Sequence, residues 1–303
     1  MRIGVSGASG FVGRALVLHL QQRGVAAVPI VRKPSGLAGE QVAGDLSDLG
    51  SDALPPLDVL IHLAALAHTP IADAAEADAR FHAANVIGSQ RVLRAAAVAG
   101  VKHMLFVSSI KVNGERTEPG KPFTETDTPA PEDAYGRSKW QAEQIVRAFC
   151  AEVGMRCTIV RPPLVYGRDV GANFRKLAKL ACSPLPLPLG GIGNARSLVH
   201  VGNLVDALAT LALDLPPSDE TYLISDGQDV STSELLRMLA HAQRRTLRLL
   251  PSGPVRLLTR HPRLMPLHQR LFSSLQVDSS KLRTHYGWVP PLSLQDALTE
   301  TFR

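Results

Sequence analysis

Tyr135 and Lys139 stand four residues apart in the run Tyr135-Gly136-Arg137-Ser138-Lys139. On a helix this spacing puts both on one face, about one turn apart. A cation beside a phenol favours the phenolate and lowers its pKa from about 10. Such a pair serves as a general acid and base near neutral pH. Ser109 follows an apolar, β-rich run, where its hydroxyl can hydrogen-bond the same substrate oxygen. Taken alone, the Tyr–Lys spacing also fits an exposed aromatic–cation contact. Joined to a serine at a strand end and a phosphate loop, it is far more specific.

That loop is Gly7-Ala8-Ser9-Gly10-Phe11-Val12-Gly13. It follows the first strand candidate and opens the first helix candidate. Its glycines allow a tight turn, a close backbone approach to a pyrophosphate, and close helix–sheet packing. The helix N-terminus then points free N–H groups at the anion. Gly7, Ser9, Gly10, Phe11, Val12 and Gly13 are therefore the candidate dinucleotide contacts, and a positively charged nicotinamide near Tyr135 would lower the phenol further. The second strand candidate ends in Val31-Arg32-Lys33-Pro34, with no carboxylate for a ribose 2′-hydroxyl. Arg32 suits a 2′-phosphate, because its fork matches phosphate geometry. This favours NADP(H). NAD(H) stays open, with Arg32 stacked on the adenine or simply exposed. Asp45 and Leu46 follow the third strand candidate, and Asp45 is placed to accept from the adenine amino group.

The elements that must position these groups alternate. Strands are expected at 3–6, 25–31, 41–44, 57–64, 103–108 and 157–161. Helices are expected at 11–23, 72–99 and 134–153. This predicts a Rossmann-type, doubly wound parallel sheet of the α/β class, with the ligand at the carboxyl ends of its strands. Residues 1–165 form the expected NAD(P)-binding domain. Residues 166–303 form a smaller α/β substrate lobe, with strands at 198–201, 222–225 and 246–250, helices at 204–213 and 233–243, and the chain free to cross between lobes. The Pro/Gly loop 184–191 is a lid or a plain connector.

The composition limits the classes. The chain has 303 residues, 45% hydrophobic and 20% charged, which excludes a disordered chain and a coiled coil. No apolar run approaches the roughly 18 residues of a membrane span, and the N-terminus enters strand-like sequence directly. A cytoplasmic protein is expected. Cys150, Cys157 and Cys182 show no metal-ligand spacing, so reduced thiols and no metal are expected. The formal charge of +6 suits a phosphate-bearing ligand, an anionic membrane or nucleic acid. No acidic residue lies between Glu234 and Asp278, while Arg237, Arg244, Arg245, Arg248, Arg256, Arg260, Arg263 and Arg270 do. The segment reads as a solvated helical face or as a basic amphipathic surface for weak contact with anionic lipid. It offers only Phe272 for base stacking, so no nucleic-acid partner is expected.

On these pieces the chain resembles the extended short-chain dehydrogenase/reductases, the NAD(P)-dependent nucleotide-sugar epimerase/dehydratase family. His62-Leu63-Ala64-Ala65, Asn85-Val86-Ile87-Gly88, Phe106–Gly114, Arg161–Gly167 and Ser197–Val201 add to the likeness, which covers nearly the whole chain. The resemblance implies that Ser109, Tyr135 and Lys139 are catalytic and that Lys139 also holds the nicotinamide ribose. It places Ala64, Ala65, Asn85, Val107 and Pro162 at the cofactor, and Ser109, Lys111, Asn173 and Arg196 at a UDP-sugar. Asn113 stands where UDP-galactose epimerases carry Tyr, and no Arg-x-Gly-Asp segment precedes Asp278-Ser279-Ser280-Lys281. Arg263 or Arg270 is the substitute phosphate contact. Ser108–Glu115 and Val31–Pro34 look like a bacterial branch of 4-epimerases and 4-keto-sugar reductases serving surface polysaccharides. Arg32 tilts the expectation toward the NADPH-dependent 4-ketoreductase acting on a UDP-4-keto-6-deoxy-hexosamine-type sugar, with the UDP-glucose or UDP-N-acetylglucosamine 4-epimerase as the alternative. A non-catalytic NADP-sensing or RNA-binding relative is more distant.

The same resemblance implies a homodimer through the helix at 72–99 and the helix of Tyr135. His62 and His200 lie on apolar strands and read as satisfied core residues. Asn85 either packs a helix or holds a backbone kink or a relay water. Tyr166 is a core aromatic or borders the pocket.

Overall fold

A computed structural model describes residues 1–67, 71, 73–214, 217 and 219–302. In chain order the elements begin with β1 (Arg2–Ser6), α1 (Phe11–Gln22), β2 (Ala26–Val31), β3 (Gln41–Val42), β4 (Val59–His62), α2 (Ala74–Phe81) and α3 (Gly88–Val98). Next are β5 (His103–Val107), α4 (Ala134–Val153), β6 (Arg156–Arg161), β7 (Leu164–Tyr166), α5 (Ala172–Ala181), β8 (Leu187–Gly190) and β9 (Leu198–His200). The chain continues through α6 (Val201–Leu213), β10 (Glu220–Leu223), α7 (Thr232–Ala242), β11 (Leu249–Pro251) and α8 (Gly253–Leu258). It ends with α9 (Met265–Phe272), α10 (Ser280–Tyr286) and α11 (Leu294–Thr301). No described helix is long and apolar enough to cross a membrane.

The first compact unit comprises Met1–Gly114, Glu125–Pro162 and Val205–Leu223. Its sheet has seven parallel strands in the order β10-β6-β5-β4-β1-β2-β3. The chain winds outward from β1 to β3, then returns to the other side of β1 with β4. The direction reverses between β1 and β4, where Ser6 pairs with His62. That is where a doubly wound sheet binds its ligand, just beyond the strand ends. Gly7 and Leu63 are the next residues on each strand, and Leu63 donates its N–H to the Ser6 carbonyl at 3.2 Å.

Burial explains why the strands read as apolar runs. Ile30, Leu60, Leu93, Met104, Phe106, Ala142 and Val146 form one buried cluster. Each large aliphatic side chain so buried contributes roughly 1.5–3 kcal/mol. The cluster fixes α4 on one face of the sheet, which sets the position of the side chains at the start of α4.

The glycine loop is built by close approach. Gly7 takes the left-handed φ of +73°. A Cβ on Gly13 would overlap the Gly7 carbonyl oxygen and stand 2.8 Å from Ala8 Cα. Only hydrogen at that position lets α1 start this close to β1.

The second unit comprises Glu115–Thr124, Pro163–Leu204 and Ile224–Arg303. It holds two short pairs of parallel strands, β7 with β9 and β8 with β11. Its core gathers Tyr166, Phe174, Leu189, Leu198, Leu236 and Leu298.

Three expectations need correcting. The strand placed at 222–225 in the smaller lobe is β10 of the large sheet, paired through Tyr222 and Val160. With it, α6 from Val205 onward belongs to the first unit, so a single boundary after 165 does not describe the chain. The helix expected at 72–99 is broken by a π-helical turn at His82–Ile87, and its first residue, 72, lies outside the described residues. An extra residue in a helical turn leaves carbonyls free of the regular ladder, and here Ser89 Oγ donates to the Asn85 carbonyl at 2.6 Å.

Gly13→Val should lower folding stability by about 1–3 kcal/mol, as overpacking does. The urea unfolding midpoint reads this, and an unchanged midpoint would contradict the close contact.

Candidate active site

The helix α4 is fixed at its start by Asp133. One carboxylate oxygen accepts from the Gly136 N–H at 2.6 Å, capping the helix. The other accepts from Lys111 Nζ at 2.5 Å. A Cβ on Gly136 would come 2.8 Å from the Lys111 carbonyl oxygen, so glycine lets α4 lie against the turn 110–112. Ser109 caps that turn, its hydroxyl accepting from the Lys111 N–H at 3.3 Å. Capping and close approach therefore bring Ser109 and Tyr135 together. The half-buried Tyr135 ring meets Phe81 of α2 edge-on, with centroids 5.9 Å apart.

Lys139 is 1% exposed, and its Nζ lies 4.0 Å from the centre of the Phe106 ring. One turn further along α4 is Glu143, fully buried. Arg161 of β6 grips it with two bonds, Nε to Oε1 at 2.9 Å and Nη2 to Oε2 at 2.5 Å. Arg161 Nη1 also donates to Asn113 Oδ1 at 3.0 Å. The Glu143–Arg161 pair was not foreseen. The spacing of Tyr135, Lys139 and Glu143 along one helical face was its available signal.

Burial dominates the protonation of this group. It pushes the Tyr135 phenol up to about 12, with the Asp133 carboxylate adding to the rise. A side-chain hydrogen bond with Ser109 acts in the opposite sense. Burial pulls the Lys139 amine down to about 7, against the attraction of Glu143. Burial thus acts against the lowering of the phenol expected from the ammonium. A desolvated site disfavours both charged forms, phenolate and ammonium.

The cofactor candidates cluster around the β1 and β4 ends. Gly10 begins α1 with no capping side chain, so the first-turn N–H groups of Phe11, Val12 and Gly13 face outward from the helix end. Ser9 and Ala65 are exposed, while Ala64, Val107 and Leu46 are half-buried. Leu46 packs on the core cluster. Pro162 is buried and its carbonyl accepts from the Ile110 N–H at 3.0 Å, tying β6 to the Ser109 turn. Asp45 Oδ1 accepts from the N–H and hydroxyl of Ser47, at 3.0 and 2.9 Å. These bonds hold the Asp45 carboxyl below its usual range, with the charge of Arg32 adding to the effect. Arg32 itself is exposed. The cradle of loop backbone and uncapped helix fits a pyrophosphate.

Asn85 does not fit direct cofactor contact. It is 1% exposed, and its amide accepts from the Leu66 N–H at 2.7 Å and donates to the Leu66 carbonyl at 3.1 Å. It also donates to Ser138 Oγ at 2.9 Å. Its polar atoms thus clamp the loop carrying Ala64 and Ala65 to α4. His62 joins the same framework, bonded to Ser6 at 2.5 Å and Ser89 at 3.1 Å. Burial, aided by Lys139, pushes its pKa down to about 3, so it is a neutral core residue. Ser108 Oγ is buried and has no hydrogen-bond partner among the described residues.

In the second unit, Arg196 Nη1 donates to the Ser273 carbonyl at 3.0 Å. Burial lowers the Arg196 pKa; Glu115 opposes that and the nearby Arg270 adds to it. Of the two arginines weighed as a phosphate contact, Arg270 thus stands near Arg196, while Arg263 is an exposed residue of the turn 262–264. Asn173 lies in the first turn of α5, and its side chain is outside the described residues. Tyr166 is a core residue, donating to Asp226 Oδ2 at 2.8 Å and stacked with Phe174. His200 packs edge-on against it.

The model of the NAD dependent epimerase/dehydratase family matches residues 3–224. The chain is 38% identical over 308 residues to a UDP-glucose 4-epimerase of Vibrio cholerae, spanning 98% of this chain and 93% of that protein. Its fold is similar to a Thermus thermophilus UDP-glucose 4-epimerase in complex with NAD, with a TM-score of 0.77 and 21% identity over 100% and 98% of the two chains. It is equally similar to RMD from Pseudomonas aeruginosa complexed with NADPH, with a TM-score of 0.76 and 24% identity over 99% and 97%.

Two measurements follow from this geometry. Arg161→Met strands a buried carboxylate and should cost about 3–5 kcal/mol of stability in urea unfolding. A loss below about 1 kcal/mol would mean the pair is not desolvated. Lys139 gives a pH dependence. Its folded pKa of about 7 lies below an unfolded value of about 10.4, so between these pH values the unfolded chain binds more protons. Stability of the wild type relative to Lys139→Met should therefore rise from pH 7 toward pH 10 and fall again on return. A difference independent of pH would contradict a depressed amine.

Proposed function

Because the chain belongs to the NAD-dependent epimerase/dehydratase family, we propose that it carries out redox chemistry at C4 of a UDP-hexose, and that the reaction is 4-epimerisation. The observation that carries this reading is Tyr135 held beside Ser109 at the start of α4, one turn from the buried Lys139. The likeness to the Vibrio cholerae enzyme supports an epimerase over a reductase. A bound nicotinamide dinucleotide supplies the acceptor and donor of hydride. The residues that would hold it are the loop Gly7–Gly13, the backbone at Ala64 and Ala65, and Asp45 with Arg32.

The chain's own groups handle the proton. Ser109 orients the C4 oxygen. Tyr135, a neutral phenol near pH 7, donates its proton to that oxygen when C4 is reduced. In the opposite direction the phenolate accepts the C4 hydroxyl proton, and charge on Lys139 is the local feature that stabilises it. Arg196 and Arg270 are the candidates for the substrate diphosphate, since guanidinium groups match phosphate oxygens.

A second reading is an NADPH-dependent 4-ketoreductase. Arg32, exposed after β2 where a carboxylate would select NAD, favours it.

Incubation with UDP-glucose and no added dinucleotide separates the two. Formation of UDP-galactose is the expected result. NADPH consumption with a UDP-4-keto sugar, and no isomerisation, would replace the epimerase by the reductase. Tyr135→Phe should reduce turnover at least ~100-fold while dinucleotide binding persists. Full activity in that variant would remove Tyr135 from the mechanism.

A further inference from the structure

The part of the acid-free stretch at 249–272, between Glu234 and Asp278, lies in the second unit. It carries β11, α8, the turn Pro262–Leu264 and α9 in succession. The buried Thr259 bonds His268 Nδ1 at 2.9 Å, tying α8 to α9. Val255, Leu271 and Phe272 turn inward and pack on the unit's core. Five other large apolar groups do not. Leu257 is 73% exposed, Leu258 66%, Leu250 51%, Leu267 45% and Met265 37%. Arg256, Arg260 and Arg263 are exposed among them.

Core packing accounts for the inward set only. Adjacent leucines both facing water, with arginines on either side, need a partner that accepts apolar side chains and negative charge together. A second copy docked face to face would set arginine against arginine, with no carboxylate in the segment to pair them. Single-stranded nucleic acid would need stacking aromatics, and Phe272, the one aromatic of the segment, packs inward. An anionic bilayer meets both demands. Its phosphates attract arginines, and its acyl boundary takes in leucines.

We propose that this surface rests on an anionic lipid bilayer, with Leu257 and Leu258 entering the interface and Arg256, Arg260 and Arg263 contacting lipid phosphates. The chain is thereby held at the membrane surface through these exposed side chains.

The test is co-sedimentation of the full chain with vesicles of phosphatidylcholine and phosphatidylglycerol, against phosphatidylcholine alone, in about 0.1 M salt. Binding is expected only with the anionic vesicles. Leu257→Ser/Leu258→Ser and Arg256→Glu/Arg260→Glu should each weaken it at least tenfold. All these positions are exposed, so unchanged circular dichroism and dinucleotide binding are expected and separate lost contact from lost fold. Wild-type protein that stays in the supernatant with anionic vesicles would overturn the proposal. So would undiminished binding by the charge-reversed variant. Binding to RNA in place of vesicles, or a dimer dissolved by the same substitutions without vesicle binding, would overturn it as well.

Discussion

Burial of the Lys139 amine is the constraint around which the candidate active site is organised. An ammonium moved out of water loses solvation worth several kcal/mol. The protein answers with the face of Phe106 and with Glu143 one turn away. Yet both oxygens of Glu143 are already held by Arg161. Its charge is shared between two cations, so attraction only partly offsets desolvation. The amine comes to balance near 7, and the neighbouring phenol stays protonated to about 12. The amine is thereby placed to gain or lose a proton near neutral pH, while burial makes the phenol a weaker acid than it is in water.

The rest of the first unit serves that arrangement. The core cluster holds α4 to the sheet, and Asp133 and Gly136 set its start against the Ser109 turn. Asn85, from the π-helical turn, links α4 to the loop after β4. That loop borders the glycine turn after β1, where Gly7 and Gly13 give up side chains so that backbone can approach backbone. One rigid polar framework, running from Ser6 through His62, Ser89, Asn85 and Ser138 to the Tyr135 carbonyl, therefore spans the phosphate loop and the phenol. Its members are neutral, so it positions groups without adding charge.

What was legible in the sequence was what local spacing encodes. The glycine loop, the Tyr135–Lys139 interval and the alternation of strands and helices each depend on neighbours within a few turns. The helix 134–153 was readable to the residue, because Asp133 caps it and Gly154 ends it in the left-handed region. Pairing across the fold was not legible. Nothing local to residues 220–223 tells that they join β6 rather than the smaller lobe. Nothing in an alanine-rich run marks the π-helical turn at 82–87, because composition is blind to one extra residue per turn. The protonation of Tyr135 is hard to read for a related reason: charge neighbours are visible along a helix, whereas burial depends on groups brought from elsewhere, such as Phe81 of α2 against its ring.

The most direct measurement is the position of the sugar in a crystal structure of the protein with dinucleotide and UDP-glucose bound. The expected result places the C4 oxygen within about 3 Å of both Tyr135 Oη and Ser109 Oγ. A complex in which the Tyr135 hydroxyl points away from the sugar, with C4 beyond hydrogen-bonding reach, would contradict the assignment of the proton transfer.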